Sequence, residues 1–243
     1  MEMLSEKARE LRKGVLRLAV ETGEAHLGGS FSEIEILTSL YESVLTENDK
    51  FILSKGHAYA PLYLLLKERG FNPKLSGHPD IDIKNGICCT TGSLGHGLPT
   101  AAGMAFARKL KGSTGKIYVL MSDGECQEGT TWETSEFACY YRLDNLKVII
   151  DCNKIQALDM TEKVVIPNYA EKFRVFGWHV DEIDGHNFNQ LISTLKKEIS
   201  GKPHLIIANT IKGKGISYME NSAMWHSRSP TEEELKKAYE ELK

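Results

Sequence analysis

The chain has 243 residues with 41% hydrophobic and 26% charged residues, and its net charge of −3 lacks the basic excess of a nucleic-acid-binding protein. No apolar run reaches the roughly 18 residues that a membrane helix needs, and the charged N-terminus lacks the apolar stretch of a signal peptide. The five cysteines form no CxxC pair. We therefore expect a cytoplasmic protein with reduced thiols, and neither nucleic acid nor membrane as partner.

Helical and strand patterns alternate along the whole chain. This alternation predicts an α/β fold, with a doubly wound, mostly parallel sheet and helices on both faces, in a single domain over 1–243. In the first half of the chain the predicted elements are a helix over 4–22, a helix starting at the apparent capping box Ser32-x-x-Glu35, a strand over 51–54, a helix through Tyr63 to Glu68 and a helix over 98–111. They are followed by a strand over 117–121, a helix to about Tyr141, a strand over 147–151, a helix near 169–176, a strand over 178–183, a helix after Asn187 and a strand over 204–209. The short tail over 231–243 contains a helix capped by Thr231.

Polar residues follow four of the predicted strands. Ligands of doubly wound sheets bind outside the carboxyl ends of the strands, so these residues are expected to meet in one crevice. Taken singly, Asp123 and Asn153 could instead be turn or helix-cap residues, which Asp and Asn favour. The four groups are Lys55-Gly56-His57, Asp123-Gly124-Glu125, Asp151-Cys152-Asn153 and the segment from Asn209 to Lys212.

The pair of Asp123 and Asn153 predicts a hard metal ion. Both side chains offer oxygen ligands, which suit Mg²⁺ or Ca²⁺ better than zinc. One carboxylate leaves most of the charge of the ion uncompensated, and Mg²⁺ is commonly held by one or two carboxylates together with substrate phosphates. The site is therefore expected to take a phosphorylated ligand.

Histidines are concentrated in glycine-rich loops. A single loop histidine is usually solvated or capping, but four of them favour a site that binds anions or moves protons. These four are His26, His57, His78 and His96, whereas His179 and His204 fall inside predicted strands and are interpreted as structural. No HExxH zinc motif is present.

Together, these segments resemble the N-terminal, diphosphate-binding part of transketolase. The resemblance runs from about Arg9 to Pro230, and the order and spacing of the segments make it specific. They are FILSKGHA (51–58), SGHPD (76–80), TTGSLGHG (90–97), MSDGECQEGTTWE (121–133), YRLDNLKVIIDCN (141–153), FGWHVDEIDGHN (176–187) and TIKGKG (210–215).

The resemblance implies thiamine diphosphate as cofactor and Mg²⁺, replaceable by Ca²⁺ or Mn²⁺, as the ion that bridges its diphosphate. The implied metal ligands are Asp123, the side chain of Asn153 and the backbone carbonyl of Ile155. The implied cofactor-binding residues are Ser32, His57, Gly92, Ser93, Leu94, Asp123, Gly124, Glu125, Asn153, Lys212 and His226.

By the same resemblance, catalytic roles fall to His26, His57, His78 and His226, which would surround the reacting carbon and hydroxyls of the substrate. Glu128 would link paired active sites, although it could also be a charge that the helix N-terminus favours. Four positions depart from the family pattern. The double Asn that often closes the motif is Cys152-Asn153 here, in which the liganding Asn is kept. Ser122 replaces a glycine, His96 replaces a common glutamine, and the first histidine lies in Ala25-His26-Leu27-Gly28-Gly29 instead of GHPG.

In the family, a glutamate that activates the cofactor lies on a second domain, and only 17 residues follow His226 here. The resemblance therefore implies the N-terminal subunit of a split transketolase, with a separate C-terminal subunit that carries this glutamate, in an α2β2 assembly. The implied reaction transfers a two-carbon ketol group reversibly from a ketose phosphate to an aldose phosphate, as in the pentose phosphate pathway. The alternatives are an enzyme for other sugar phosphates, a 1-deoxyxylulose phosphate synthase, a 2-oxo-acid dehydrogenase α subunit, and a non-catalytic remnant that binds phosphorylated ligands.

Overall fold

The computed structural model of the chain describes residues 1–23, 26–157 and 159–243. Its centre is a sheet of five parallel strands in the order β1-β2-β3-β5-β4. Ala25, one of the residues that depart from the family pattern, lies outside the described residues. The strands are β1 (Lys50–Leu53), β2 (Ile117–Ser122), β3 (Leu146–Cys152), β4 (His179–Asp184) and β5 (His204–Asn209).

Helices cover both faces of this sheet, as the alternating sequence pattern predicts. In chain order they are α1 (Glu2–Thr22), α2 (Leu27–Ser32), α3 (Ile34–Ser39), α4 (Ala60–Glu68), α5 (Gly97–Leu110), α6 (Gly129–Tyr140), α7 (Thr161–Val164), α8 (Tyr169–Val175), α9 (Phe188–Lys196) and α10 (Glu232–Glu241). A π-helical turn over Leu40–Val44 extends α3, and short 3₁₀ helices lie at Gly56–Ala58, Ile83–Asn85, Gly124–Gln127 and Ala223–His226.

The core has two layers, one on each face of the sheet. Successive side chains of a strand point to opposite faces, so β2 sends Tyr118 and Leu120 into one layer and Val119 and Met121 into the other. The first layer packs against α1 to α4, α9 and α10, and the second packs against α5, α6 and α8. Every residue of β2 and β3 is buried, which explains the near-continuous apolar runs of these strands.

Two predicted caps have different outcomes. Thr231 caps α10 in a full capping box with Glu234, as expected. The capping box of Ser32 with Glu35 is wrong, because Ser32 is the last residue of α2 and its hydroxyl donates to Asp151 Oδ2 at 2.6 Å. Glu35 forms an ion pair with Arg12. Tertiary partners have therefore outcompeted the local capping pattern.

Among the helices of the described residues, none combines the length and the apolar character that crossing a membrane requires.

Candidate active site

A cleft of about 250 Å³ opens where β2, β3 and β5 end. The loops that follow these strands line it together with segments from α2, from the 3₁₀ helix after β1 and from the tail before α10. The lining residues are Gly29, His57, Leu94, Ser122, Asp123, Gly124, Gln127, Glu128, Asn153, Ile155, Gln156, Ala157, Lys212 and His226. The polar groups that follow β1, β2, β3 and β5 thus contribute to one crevice.

Asp123 lies at the end of β2, with a side chain that is almost completely buried. Its Oδ1 accepts a hydrogen bond from Gly124 N at 2.8 Å, and its Oδ2 accepts from Lys154 N at 2.8 Å and from Thr161 Oγ1 at 3.0 Å. Burial and the nearby charge of Asp151 nevertheless raise the pKa of this carboxyl. A cation in the cleft would relieve this unfavourable environment.

Asn153 and Ile155 present two further oxygen atoms beside Asp123. Asn153 Oδ1 accepts a hydrogen bond from Ile155 N at 3.2 Å, and the carbonyl oxygen of Ile155 accepts one from Lys212 Nζ at 3.0 Å. Lys154, between them, has a left-handed backbone with φ of 66°. This strained turn directs Lys154 N to Asp123 and brings the predicted ligands onto one cleft.

The three predicted ligands fit a hard metal ion. All of them offer oxygen, and no sulfur or nitrogen atom is among them, which is the donor set that Mg²⁺ and Ca²⁺ prefer. The single carboxylate and the ammonium of Lys212 also suit an anionic ligand that would share the ion.

Four histidines from distant parts of the sequence form one cluster at the cleft. The ring centroid of His26 lies 5.5 Å from that of His57, 6.5 Å from that of His78 and 5.7 Å from that of His226. The centroids of His57 and His226 are 5.8 Å apart. All four predicted catalytic histidines therefore lie together, and His78 is the most exposed of them.

Burial keeps the inner histidines neutral. Burial and the positive charge of Lys55 hold the pKa of His57 well below its usual range. Burial and the charge of Lys212 lower the pKa of His226 to about 4. At neutral pH both rings can therefore accept as well as donate a proton in a hydrogen bond with a substrate.

Lys212 places a cationic group beside the predicted metal ligands. Its ammonium contacts His226 Nδ1 at 3.0 Å in addition to the Ile155 carbonyl. Burial and the charge of Lys55 lower the pKa of Lys212 to about 8. A diphosphate in the cleft would give this desolvated cation the anion that it lacks.

An ion pair without solvent contact underlies the cleft. Lys55 Nζ contacts Asp151 Oδ2, donates to Gly29 O at 2.8 Å and lies 3.0 Å from Glu33 Oε2. Desolvation opposes the charge of Lys55, but the neighbouring acidic groups, first of all Asp151, outweigh it and raise the pKa of Lys55. Burial raises the pKa of Glu33 to about 8, whereas Lys55 lowers the pKa of Asp151, so Asp151 is the ionised partner at neutral pH. Lys55 thus neutralises Asp151, whose Oδ2 also accepts from Asn153 Nδ2 at 3.3 Å. The pair orients a predicted metal ligand.

A second buried network holds the loop that carries Lys212. Glu35 pairs with Arg12 at 2.7 Å and accepts from His186 Nδ1 at 2.9 Å. His186 Nε2 in turn accepts from Ile211 N at 2.9 Å, and Arg12 Nε donates to Lys214 O at 2.7 Å. The backbone is therefore fastened on both sides of Lys212.

The predicted cofactor-binding residues Ser32 and Glu125 lie beneath the cleft surface, and both are fully buried. The hydroxyl of Ser32 donates to Asp151, and the carboxylate of Glu125 accepts from Ser54 Oγ and from Gly95 N at 2.8 Å. The structure thus places both of them where they support the loops that line the cleft.

The glycine-rich loop over 92–97 borders the cleft through Leu94, whereas Ser93 is exposed and outside the lining. A Cβ atom on Gly92, whose φ is +127°, would stand 2.7 Å from the His78 ring, so glycine is required there. Glu128 lines the cleft as the exposed N-cap residue of α6 and makes no side-chain capping bond. His96 is exposed as the N-cap residue of α5.

The sequence did not predict the supporting roles of Arg12, Glu33 and His186, and it placed Glu35 in a capping box that does not form. It placed Lys55 at the crevice but did not predict its ion pair. Their partners are distant in sequence, as with Lys55 and Asp151, which are separated by 96 positions. The one available signal was a set of charged residues inside apolar segments, since charged side chains are rarely buried unless they are paired.

Known proteins resemble this chain along nearly its whole length. The family described as transketolase, thiamine diphosphate binding domain, matches residues 18–242. The chain is 40% identical to one subunit of the apulose-4-phosphate transketolase of Actinobacillus succinogenes, over 99% of this chain and 96% of the relative. It is 38% identical to a 6-deoxy-6-sulfo-D-fructose transketolase subunit of Clostridium sp., over 98% of this chain and 96% of the relative. The crystal structure of transketolase from Campylobacter jejuni matches with a TM-score of 0.90 and 31% identity, over 100% of this chain and 43% of that one.

The buried ion pair generates a prediction about stability. Lys55→Met leaves the Asp151 carboxylate buried without its cation, so we expect a loss of about 3–5 kcal/mol in the free energy of unfolding. The matched control is Lys163→Met, which removes the exposed ion pair with Asp159 and should cost less than about 1 kcal/mol. Urea unfolding of both variants measures the difference. Equal losses in the two variants would contradict the assigned role of Lys55.

The network around Lys212 generates a prediction about local dynamics. His186→Ala removes the acceptor of the Ile211 amide, so hydrogen exchange of this amide should accelerate about tenfold. The amide of Val119, in the middle of β2, serves as the internal control and should keep its rate. An unchanged exchange rate at Ile211 would show that the loop is held without His186.

Proposed function

The chain belongs to the transketolase family through its thiamine diphosphate binding domain, and we propose that it is the N-terminal subunit of a two-subunit transketolase. The proposed reaction transfers a two-carbon ketol group reversibly from a ketose phosphate to an aldose phosphate. The observation that carries this proposal is the convergence of four histidines, three oxygen ligands and a buried lysine on one cleft.

We propose that Asp123, Asn153 and the Ile155 carbonyl bind Mg²⁺ and that Lys212 binds the cofactor diphosphate. The all-oxygen ligand set and the raised pKa of Asp123 support the metal assignment. The bound cofactor supplies the carbanion-stabilising chemistry that ketol transfer needs. The protein residues contribute orientation and charge, and Lys55 with Asp151 holds the amide of Asn153, whose oxygen would serve as a ligand of the ion.

The histidine cluster provides the groups that would handle the hydroxyls of the donor sugar. Neutral His57 and His226 can each donate one hydrogen bond and accept another, while His26 and His78 complete the ring of side chains around the same space. A proton that leaves a sugar hydroxyl as the carbon–carbon bond breaks can therefore pass to an adjacent imidazole.

The cleft of this chain is small for a complete site. Its volume of about 250 Å³ is below the roughly 300–1,000 Å³ of typical small-molecule pockets, and one of its lining residues, Glu128, is exposed to solvent. Two relatives of similar length are named as transketolase subunits, which implies a separate partner subunit. We propose that a C-terminal subunit closes the cleft, carries the activating glutamate and assembles as α2β2, with Glu128 at a subunit interface.

We also propose a cytoplasmic location and a role in the exchange of sugar phosphates of the pentose phosphate type. The five cysteines of the chain are free thiols, which suits a reducing compartment. The names of the two relatives contain different sugars, apulose 4-phosphate and 6-deoxy-6-sulfo-D-fructose, so both belong in an assay of the donor sugar of this chain.

The two-subunit proposal predicts that neither chain is active alone. With Mg²⁺ and thiamine diphosphate, ketol transfer should appear only when this chain is mixed with a chain resembling the C-terminal part of transketolase. A coupled assay over a donor panel that includes the substrates named for the two relatives measures the reaction. Appreciable transfer by this chain by itself would overturn the shared-site proposal.

The metal assignment predicts a matched pair of variants. Asp123→Asn removes the only carboxylate among the proposed ligands, so the affinity of the assembled enzyme for thiamine diphosphate with Mg²⁺ should fall about 100-fold. Asp159→Asn changes an exposed aspartate nearby and should leave it unaltered. Calorimetric titration measures both affinities, and circular dichroism checks the folds. A normal affinity in Asp123→Asn would reject this ligand.

A further inference from the structure

A second group of metal-ligating side chains lies at the end of the sheet opposite the cleft, where β4 and β5 begin. His179 and His204 are the first residues of these strands and lie in register, and Asp181 is two residues beyond His179. Neighbours in register and residues two apart in a strand share one face of a sheet. Asp181 Oδ2 accordingly lies 3.2 Å from His179 Nε2 and 2.9 Å from His204 Nε2.

A cation already occupies part of this cluster. Lys197, directly after α9, places its Nζ 3.0 Å from His179 Nε2 and 2.9 Å from each oxygen of Asp181. The lone pairs of an imidazole and a carboxylate therefore face a common positive centre. The side chain of Lys197 is 44% exposed, so its ammonium can leave at small cost. His179 is also partly exposed, which gives an ion access from solvent.

The ligand atoms suit a late first-row divalent ion better than Mg²⁺. Two imidazoles and one carboxylate form a three-ligand set that zinc, cobalt and nickel accept, with further positions left to water. Zinc holds such atoms at about 2.0–2.2 Å, which places tetrahedral ligands about 3.3–3.6 Å apart. The observed separations of 2.9 and 3.2 Å need only small shifts to reach this arrangement.

The hydrogen bonding of the buried His204 ring also allows ligation. His204 Nδ1 is buried without a hydrogen-bond partner. It lacks a partner whether Nε2 faces Asp181 or an ion, so metal binding adds no new unpaired group.

We propose that His179, Asp181 and His204 form a binding site for zinc or a similar divalent transition-metal ion, which displaces the ammonium of Lys197. The strands β4 and β5 are six residues long, so this site lies roughly 17 Å from the carboxyl ends of the strands, where the cleft is. It is therefore distinct from the proposed magnesium site. A bound ion would clamp β4 to β5 and raise the unfolding temperature of the chain.

Cobalt titration of the full chain, freed of metal with a chelator, tests this proposal. Three protein ligands and one water would make the bound Co²⁺ four-coordinate, and four-coordinate Co²⁺ absorbs visible light much more strongly than the six-coordinate aqueous ion. The wild type should gain an intense band with one equivalent of Co²⁺. His179→Gln should weaken binding about tenfold or more. Lys197→Met removes the competing ammonium and should tighten binding by a factor of about three to ten.

Control variants make the outcome unambiguous. Asp123→Asn should keep the band, because it changes only the oxygen-ligand site. Thermal unfolding in chelator checks that each variant is folded, and Lys197→Gln replaces Lys197→Met if the latter is not. The proposal is overturned if the wild type gains no intense band, if His179→Gln binds as tightly as the wild type, or if removal of the Lys197 charge fails to tighten binding.

Discussion

The active site depends on a buried ion pair between Lys55 and Asp151. Neither side chain contacts solvent, and removal of either partner would leave a charge that the interior cannot solvate. The pair joins the loop after β1 to the end of β3 and also holds the Gly29 carbonyl of α2. Three separate segments are thus tied at one point, directly beneath Asn153. Such a pair contributes specificity of arrangement more than net stability.

The buried charges near the cleft also influence the protonation of the residues that line it. Burial, together with the charges of Lys55 and Lys212, lowers the pKa values of His57 and His226, so both imidazoles are neutral at neutral pH. Burial and the negative charge of Asp151 raise the pKa of the Asp123 carboxyl, and a cation beside this carboxyl would stabilise its charged form. Burial and the charges of Lys55, Lys212 and Asp151 therefore underlie both the metal-binding and the proton-handling functions that we propose.

Much of the architecture could be predicted from local patterns. The apolar runs of β2 and β3 identified fully buried parallel strands, and the polar residues after them identified the edge where ligands bind. The prediction of a helix cap at Ser32 was wrong because a distant carboxylate, Asp151, competes for the same hydroxyl. Local patterns report intrinsic preference, and tertiary contacts override it where the partner is buried and charged.

The sequence by itself determined the parallel α/β class, the family resemblance and the residue types at the strand ends, because these depend on periodicity and on the spacing of motifs. It named the four histidines but could not show that His26 and His226, 200 positions apart, lie with ring centroids within 6 Å. Only the tertiary structure decided which charges are paired, how Glu35 and His186 fasten the Lys212 loop, and that His179 and His204 face a common aspartate. The physical reason is that pairing energies depend on distance and burial, which the folded chain alone creates.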